Sequence, residues 1–260
     1  MAEIILFIIS ILPVILIGRY LYQKDKEKEP PKLLTKLFLG GIGSCILVLI
    51  VSAILGAIFP IFSATESSLN LIELAIHVFI GIALVEESCK WVMVYFISYN
   101  DKEFDEFYDM ILYAAFVSLG FAAFENLFYV YSSGISVGVL RALLAVPGHV
   151  CDAIYMGYYL GLAKKYSLSG DKKAKEKNIA LSILVPTIIH GVYDYCLLSG
   201  ETLLVILVLV GVVFLYIYSI KKVKEVSTID RKLKYKDSFC PNCGSKVEFN
   251  FCPNCGRKNE

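Results

Sequence analysis

At 260 residues, with 57% hydrophobic and only 19% charged side chains, the chain is far more apolar than a soluble globular protein. A formal net charge of +1 gives no electrostatic ground for a nucleic-acid partner, and no direct nucleic-acid binding is expected. Mean hydropathy is +0.65, and the charges gather in short blocks between apolar stretches, as in a polytopic protein built into a lipid bilayer.

Seven stretches are long enough to cross the bilayer as helices, each of which needs about 20 residues. They are residues 3–22, 34–60, 71–99, 107–132, 137–163, 178–198 and 202–220. The expected fold class is therefore an all-α polytopic membrane protein with about seven transmembrane helices, followed by a small tail of different character. The first stretch has no basic segment before its apolar core and no small-x-small site near residues 17–22, so it reads as a retained helix and not a cleaved signal.

Basic residues set the expected orientation. The first connection carries Arg19, Lys24, Lys26, Lys28, Lys32 and Lys36. The fifth carries Lys164, Lys165, Lys172, Lys173, Lys175 and Lys177, and the tail begins with Lys221, Lys222 and Lys224. Residues 61–70 and 199–201 contain no Lys or Arg. With seven spans the lysine-rich segments share one side, which the positive-inside rule makes cytoplasmic, leaving the N-terminus outside and the tail inside. Arg141 falls near the outer end of the fifth span, where it is expected to snorkel to the interface.

Ionisable residues inside spans cost at least roughly 2.5–3.5 kcal/mol each on insertion scales, so each is a functional candidate. The third span carries Glu86, Glu87 and Lys90. Glu86 and Lys90 are i,i+4 and Glu87 and Lys90 are i,i+3, so Lys90 can neutralise one carboxylate and leave the other for chemistry. His77, in the same span, has no charged neighbour one turn away and reads as a satisfied or interfacial histidine. The fourth span carries Phe121, Glu125 and Asn126, and the fifth carries His149 after Pro147-Gly148. Asp152, three residues on, is positioned to orient His149. In the sixth span His190 and Asp194 are i,i+4, so the carboxylate can orient the imidazole. At 1.5 Å per residue, Glu86, Glu125, His149 and His190 lie roughly 22, 10, 20 and 12 Å from the outer ends of their spans, so all four can meet in a water-filled pocket near the bilayer middle.

After Lys236 the tail reads Cys240-Pro-Asn-Cys243-Gly and Cys252-Pro-Asn-Cys255-Gly. Two CxxC knuckles complete a tetrahedral four-thiolate site of the closed, structural zinc type. Two disulfides are the alternative, and a reducing cytoplasm disfavours them. Such a module is folded by its metal and serves recognition or assembly, with a cytosolic protein as its partner. The expected organisation is a multi-pass domain over residues 1–224 with core motifs in 71–198, a basic linker over 225–238 and the ribbon over 239–260. Cys45, Cys89, Cys151 and Cys196 read as small buried packing residues, with a catalytic thiol at Cys89 or Cys151 as the alternative.

Four elements together resemble the PrsW-type intramembrane proteases: Glu86-Glu87-x-x-Lys90, Phe121-x-x-x-Glu125-Asn126, Arg141 through Pro147-Gly148-His149 with Gly157-Tyr158-Tyr159-Leu160-Gly161, and His190-x-x-x-Asp194. The wider group resembles the type II CAAX prenyl endopeptidases, but the spacing to Lys90 and a glutamate at position 125 favour the PrsW branch. The resemblance implies peptide-bond hydrolysis in or beside the membrane, on a membrane-anchored protein substrate such as an anti-sigma factor. The zinc module is not part of that pattern.

In the mechanism expected from these residues, Glu86 or Glu87, preferably Glu86, is the general base for water. His149 and His190 either ligate a catalytic zinc or donate to the oxyanion. Asp194 orients His190, Lys90 balances charge and Glu125 completes the polar shell. A core without an obligatory metal is slightly preferred. The rival readings are a CAAX-type prenyl endopeptidase, a proton-coupled transporter and a membrane scaffold that presents the zinc ribbon.

Overall fold

The computed structural model describes residues 2–228 and, in the tail, 238–239, 242–243, 245–247 and 254–255. Its helices are α1 (Ala2–Lys24), α2 (Pro31–Ile58), α3 (Leu71–Ile76), α4 (Val85–Ser98), α5 (Phe107–Ser133), α6 (Ile135–Leu143), α7 (Ala145–Leu168), α8 (Lys172–Leu198) and α9 (Thr202–Thr228). A π-helical segment, His77–Leu84, joins α3 to α4. The chain is thus an all-α polytopic membrane protein.

Among the described residues six helical spans are long and apolar enough to cross a membrane: Ile4–Lys24, Pro31–Ile58, Phe107–Ser133, Ile135–Leu168, Lys172–Leu198 and Thr202–Thr228. The expected third span is helical from residue 71 to 98 but composite, α3 and α4 being welded by the π turn. The expected fifth span is also divided. Its helix breaks at Leu144, between α6 and α7, and α7 runs on to Leu168.

Local chemistry places the ends. Pro31 opens α2 at the position where a missing N–H costs nothing, and the helix stops at Ile58 because Phe59, which precedes Pro60, is extended. Asn70 and Glu73 form a reciprocal capping box on α3: Asn70 Oδ1 accepts from the Ile72 and Glu73 amides, and Glu73 Oε2 accepts from the Asn70 amide. Asp171 caps α8 by accepting from the Ala174 amide.

The axis of the bundle is α5. Its apolar window is 89% buried, against 17% for α9 and 22% for α1 and α2, so the latter three offer their side chains to lipid. Small residues explain the difference. Ala114, Ala115, Gly120, Ala122 and Ala123 let neighbouring backbones approach α5 closely, the packing mode of membrane helices. At Gly120 a Cβ would stand 2.0 Å from the Phe38 carbonyl oxygen, so α2 can cross there only because the side chain is absent. The same holds at Gly157, where α7 meets the Met110 carbonyl. Helices α2, α4, α7 and α1 surround α5, and α8 packs against α7 and the π segment.

In the tail, β1 (Ser238–Phe239) and β2 (Lys246–Val247) pair antiparallel, closing a hairpin across the first CxxC. Asn254 Nδ2 donates to Ser245 Oγ, 3.1 Å away. Cys240 and Cys252 lie outside the described residues, as do most of the linker and the rest of the ribbon.

Candidate active site

The π segment delivers α4 to the bundle interior just before its two acidic residues, a position where such turns often mark function. Trp91 Nε1 donates to Ser182 Oγ at 2.8 Å, pinning α4 to α8 one turn from Glu87 and two from His190. Ser118 of α5 donates to the His149 carbonyl at 2.7 Å and fixes the height of α7.

Lys90 stands at the centre. Its Nζ lies 2.7 Å from Glu87 Oε1, 3.4 Å from Glu86 Oε2 and 3.2 Å from His149 Nδ1, over the Phe121 ring at 4.0 Å. An ammonium only donates, so His149 accepts at Nδ1 and carries its proton on Nε2. That Nε2–H donates to Glu125 Oε2 at 2.8 Å. His190 Nδ1 donates to Glu87 Oε1 at 3.0 Å, and its Nε2 lies 3.1 Å from Asp194 Oδ2 and 3.9 Å from Glu86 Oε2. The two histidine rings meet edge to face with centroids 5.4 Å apart. Residues expected from four separate spans thus converge, and Glu86, Glu87, Lys90, Glu125, His149, His190 and Asp194 form one connected network.

The two adjacent glutamates are not equivalent. Glu87 is 1% exposed, held by Lys90 and His190, whereas Glu86 is 12% exposed and lines a cavity of about 530 Å³. Glu125, Arg141, His149, His190 and Asp194 share that cavity wall, which is otherwise largely apolar. Helices spanning a bilayer enclose such a polar chamber only when its charges are paired.

Two expectations are corrected. Arg141 does not snorkel outward: its Nη2 pairs with Glu125 Oε2 at 2.7 Å, its Nε donates to Asn126 Oδ1 at 3.2 Å, and its guanidinium stacks over Tyr129 at 4.2 Å. The break at Leu144 lays α6 against α1 and α5, so the long side chain reaches inward to a carboxylate. Sequence signalled this only by placing Arg141 in the same family pattern as Glu125 and Asn126. Asp152 does not orient His149. Both ring nitrogens of His149 are taken by Lys90 and Glu125, and Asp152 Oδ1 is buried without a hydrogen-bond partner beside the cavity.

His77 is satisfied, as expected: its Nδ1–H donates to the Ile61 carbonyl at 2.7 Å. Cys45, Cys89 and Cys151 are buried, and Cys196 is half-buried.

Glu86, Glu87, His149 and His190 each bring one ligand atom to within 4.8 Å of the others, a donor set of the kind that holds a divalent metal. Lys90 Nζ stands within 3.4 Å of three of the four groups, so the cation already balancing them is an ammonium. The donor types suit a metal, and the Lys90 ammonium already stands against three of them.

The fold and site together define a multi-pass membrane protein with a buried carboxylate–histidine centre open to an internal chamber, the make-up of an intramembrane hydrolase. Residues 29–219 match the family model described as "PrsW family intramembrane metalloprotease", and the chain belongs to that family of membrane proteases. It is 36% identical over 223 residues to Protease PrsW of Oceanobacillus iheyensis, covering 85% of this chain and 97% of the relative. Protease PrsW of Clostridioides difficile is 31% identical over 233 residues, covering 88% and 94% of the two chains. Protease PrsW of Bacillus subtilis is 32% identical over 229 residues, covering 85% and 95%. No solved structure matches the chain. Membership in this family decides for the protease over the transporter and scaffold alternatives. The CxxC pairs lie beyond the matched segment.

Proposed function

We propose that the chain cuts a membrane-anchored protein substrate, of the anti-sigma-factor type, with Glu86 as general base. What carries the assignment is the unequal placing of the two glutamates: Glu86 faces the chamber, while Glu87 is enclosed by Lys90 and His190. Glu86 takes a proton from water as the water oxygen bonds to the scissile carbonyl carbon. The carbonyl π pair moves onto oxygen. As the tetrahedral species collapses, the C–N bond breaks and Glu86 returns the proton to the leaving nitrogen, so the carboxylate is regenerated.

His149 and His190 edge the chamber where the oxyanion forms, and the Nε2–H of either reaches it by turning from the carboxylate it now meets, Glu125 or Asp194. Asp194 and Glu87 hold His190 from either side of its ring, and Glu125 holds His149. Lys90 supplies the counter-charge that a metal would otherwise bring, and no step here passes through a metal. Its ammonium among the donors supports that reading.

The same reading places residues 1–224 in the membrane domain, 225–238 in a basic linker and 239–260 in a ribbon in which Cys240, Cys243, Cys252 and Cys255 bind a structural zinc. The lysine-rich connections and tail are cytoplasmic and the N-terminus is outside, so the ribbon meets a cytosolic protein partner. Pairing of β1 with β2 and the Asn254–Ser245 bond support two knuckles side by side.

Cleavage of a single-span reporter in proteoliposomes tests the assignment. Glu86→Gln should abolish it while the protein stays folded; undiminished cleavage by that variant overturns the assignment. Chelator added to a full-length variant with all four tail cysteines changed to serine should leave cleavage intact. Loss that zinc restores would put a metal in the core.

A further inference from the structure

A second acidic cluster lies away from this centre, where the α1–α2 connection meets the start of α5. Asp25, Glu106 and Asp109 bring carboxylate oxygens to within 4.8 Å of one another, and all three residues are buried, at 2%, 9% and 0% exposure. Glu29 is buried beside them at 5%, accepting a hydrogen bond from the Tyr113 hydroxyl.

Part of each aspartate is used locally. Asp25 Oδ2 accepts from the Glu29 amide at 3.2 Å, and Asp109 Oδ2 accepts from the Asp105 and Glu106 amides at 3.0 and 2.7 Å. The other oxygen of each, Asp25 Oδ1 and Asp109 Oδ1, is buried with no hydrogen-bond partner. Two orphaned anionic oxygens in one buried cluster cost far more than a folded chain tolerates without a cation or proton. Protein does not supply the cation: neither aspartate nor Glu29 has an ion pair among the described residues. The Lys28 ammonium, whose charge acts on Asp25, is engaged by the Tyr22 and Asp25 carbonyls at 2.6 and 2.5 Å.

We propose that Asp25, Glu106 and Asp109 bind a hard divalent cation, Mg²⁺ or Ca²⁺, that clamps the α1–α2 connection onto the start of α5. The donors are all oxygens, with no thiolate or imidazole among them, which selects these ions over zinc. Three carboxylates leave room for water in the six to eight positions such ions fill. The clamp would act on the end of the bundle where α9 finishes, since Lys26 of the same connection donates to the Thr228 carbonyl at 3.1 Å.

The test uses full-length protein in nanodiscs at neutral pH, freed of divalent ions, with MgCl₂ and CaCl₂ added separately. Unfolding midpoint and tyrosine-sensitised Tb³⁺ luminescence are read together. The wild type and Glu86→Gln/Glu87→Gln should both show a saturable rise, about 5–10 °C at 100 times the dissociation constant, and Ca²⁺ or Mg²⁺ should displace Tb³⁺. Asp25→Asn/Asp109→Asn should lose both responses and unfold at a higher temperature in the absence of ions, because the repulsion is gone. Should the double variant not fold, Asp25→Asn alone must weaken Tb³⁺ binding at least tenfold. No saturable response in the wild type, a midpoint that follows pH but neither ion, or Tb³⁺ affinity unchanged by these substitutions would each overturn the site.

Discussion

The two buried acidic clusters answer one electrostatic problem in opposite ways. In the chamber, Glu86, Glu87, Glu125 and Asp194 are met by Lys90, Arg141, His149 and His190, so each carboxylate contacts a cationic or donating side chain. At the α1–α2 connection, Asp25, Glu29 and Asp109 are met by backbone amides and a tyrosine, with no ion pair among the described residues. Depth explains the contrast. A site within the apolar spans gains by carrying its own counter-charges, because charge left unpaired at that depth is costly. A cluster at a bundle end can take its cation from solution. The first site is therefore self-balanced and rigid, and the second is conditional on what surrounds it.

The sharpest way to break the comparison is inside the chamber. Glu86→Gln should lower kcat/KM on a membrane reporter by about 10²–10⁴, the span of general-base contributions, with the unfolding midpoint nearly unchanged because Glu86 is the less engaged of the pair. Glu87→Gln should instead lose stability as well as activity. Removing one partner of a buried pair costs about 3–5 kcal/mol, and here it strips both Lys90 and His190 of their shortest carboxylate contact. If both variants lose activity at unchanged stability, the division of labour between the glutamates is wrong.

Arg141 probes the same network with a smaller expected effect. Arg141→Met leaves Glu125 with His149 alone and should cost about 1.5–3 kcal/mol, the worth of a hydrogen bond to a charged group, measured by denaturant or thermal unfolding. Arg141→Lys should recover only part, since an ammonium lacks the planar fork whose Nη2 and Nε meet Glu125 and Asn126 from separate nitrogens. A neutral Arg141→Met would return that residue to the interface.

Much of this was legible in the chain, for identifiable reasons. The apolar runs at 107–132, 178–198 and 202–220 end within about two turns of the ends of α5, α8 and α9 because hydropathy alone dictates burial in lipid. Glu86, Glu87, Glu125, His149, His190 and Asp194 stood out because each is costly at depth, and i,i+3 and i,i+4 spacing correctly paired Lys90 with both glutamates and His190 with Asp194. What spacing cannot give is the third dimension. Arg141 and Glu125 sit sixteen residues apart on different helices, and their meeting depends on the break at Leu144. Asp152 at i+3 from His149 looked like its orienting group, yet the imidazole turns to α4 and α5 instead. The π segment left no mark either, since hydrophobic periodicity does not separate a π turn from an α turn within an apolar run.

The mildest change tests whether the chamber's geometry rests on close helix contact as well as on charge. At Gly157 a Cβ would lie 2.4 Å from the Met110 carbonyl oxygen and 2.6 Å from Ile111 Cα, so Gly157→Ala must push α7 away from α5. Overpacking of that kind costs about 1–3 kcal/mol. It would act on catalysis through His149, two helical turns along α7, whose carbonyl accepts from Ser118 at 2.7 Å and whose ring is fixed by Glu125 from the same α5. Separating the helices lengthens both contacts without touching a charge. The expected result is a kcat loss larger than the change in KM, alongside a lowered midpoint. The α1–α2 cluster also leans on α5, but through its first turn, so its response to Ca²⁺ or Mg²⁺ should survive in Gly157→Ala. If activity and ion response fall together, the two clusters are coupled through α5, and the contrast between a self-balanced site and a solution-balanced one describes one cooperative unit instead of two independent ones.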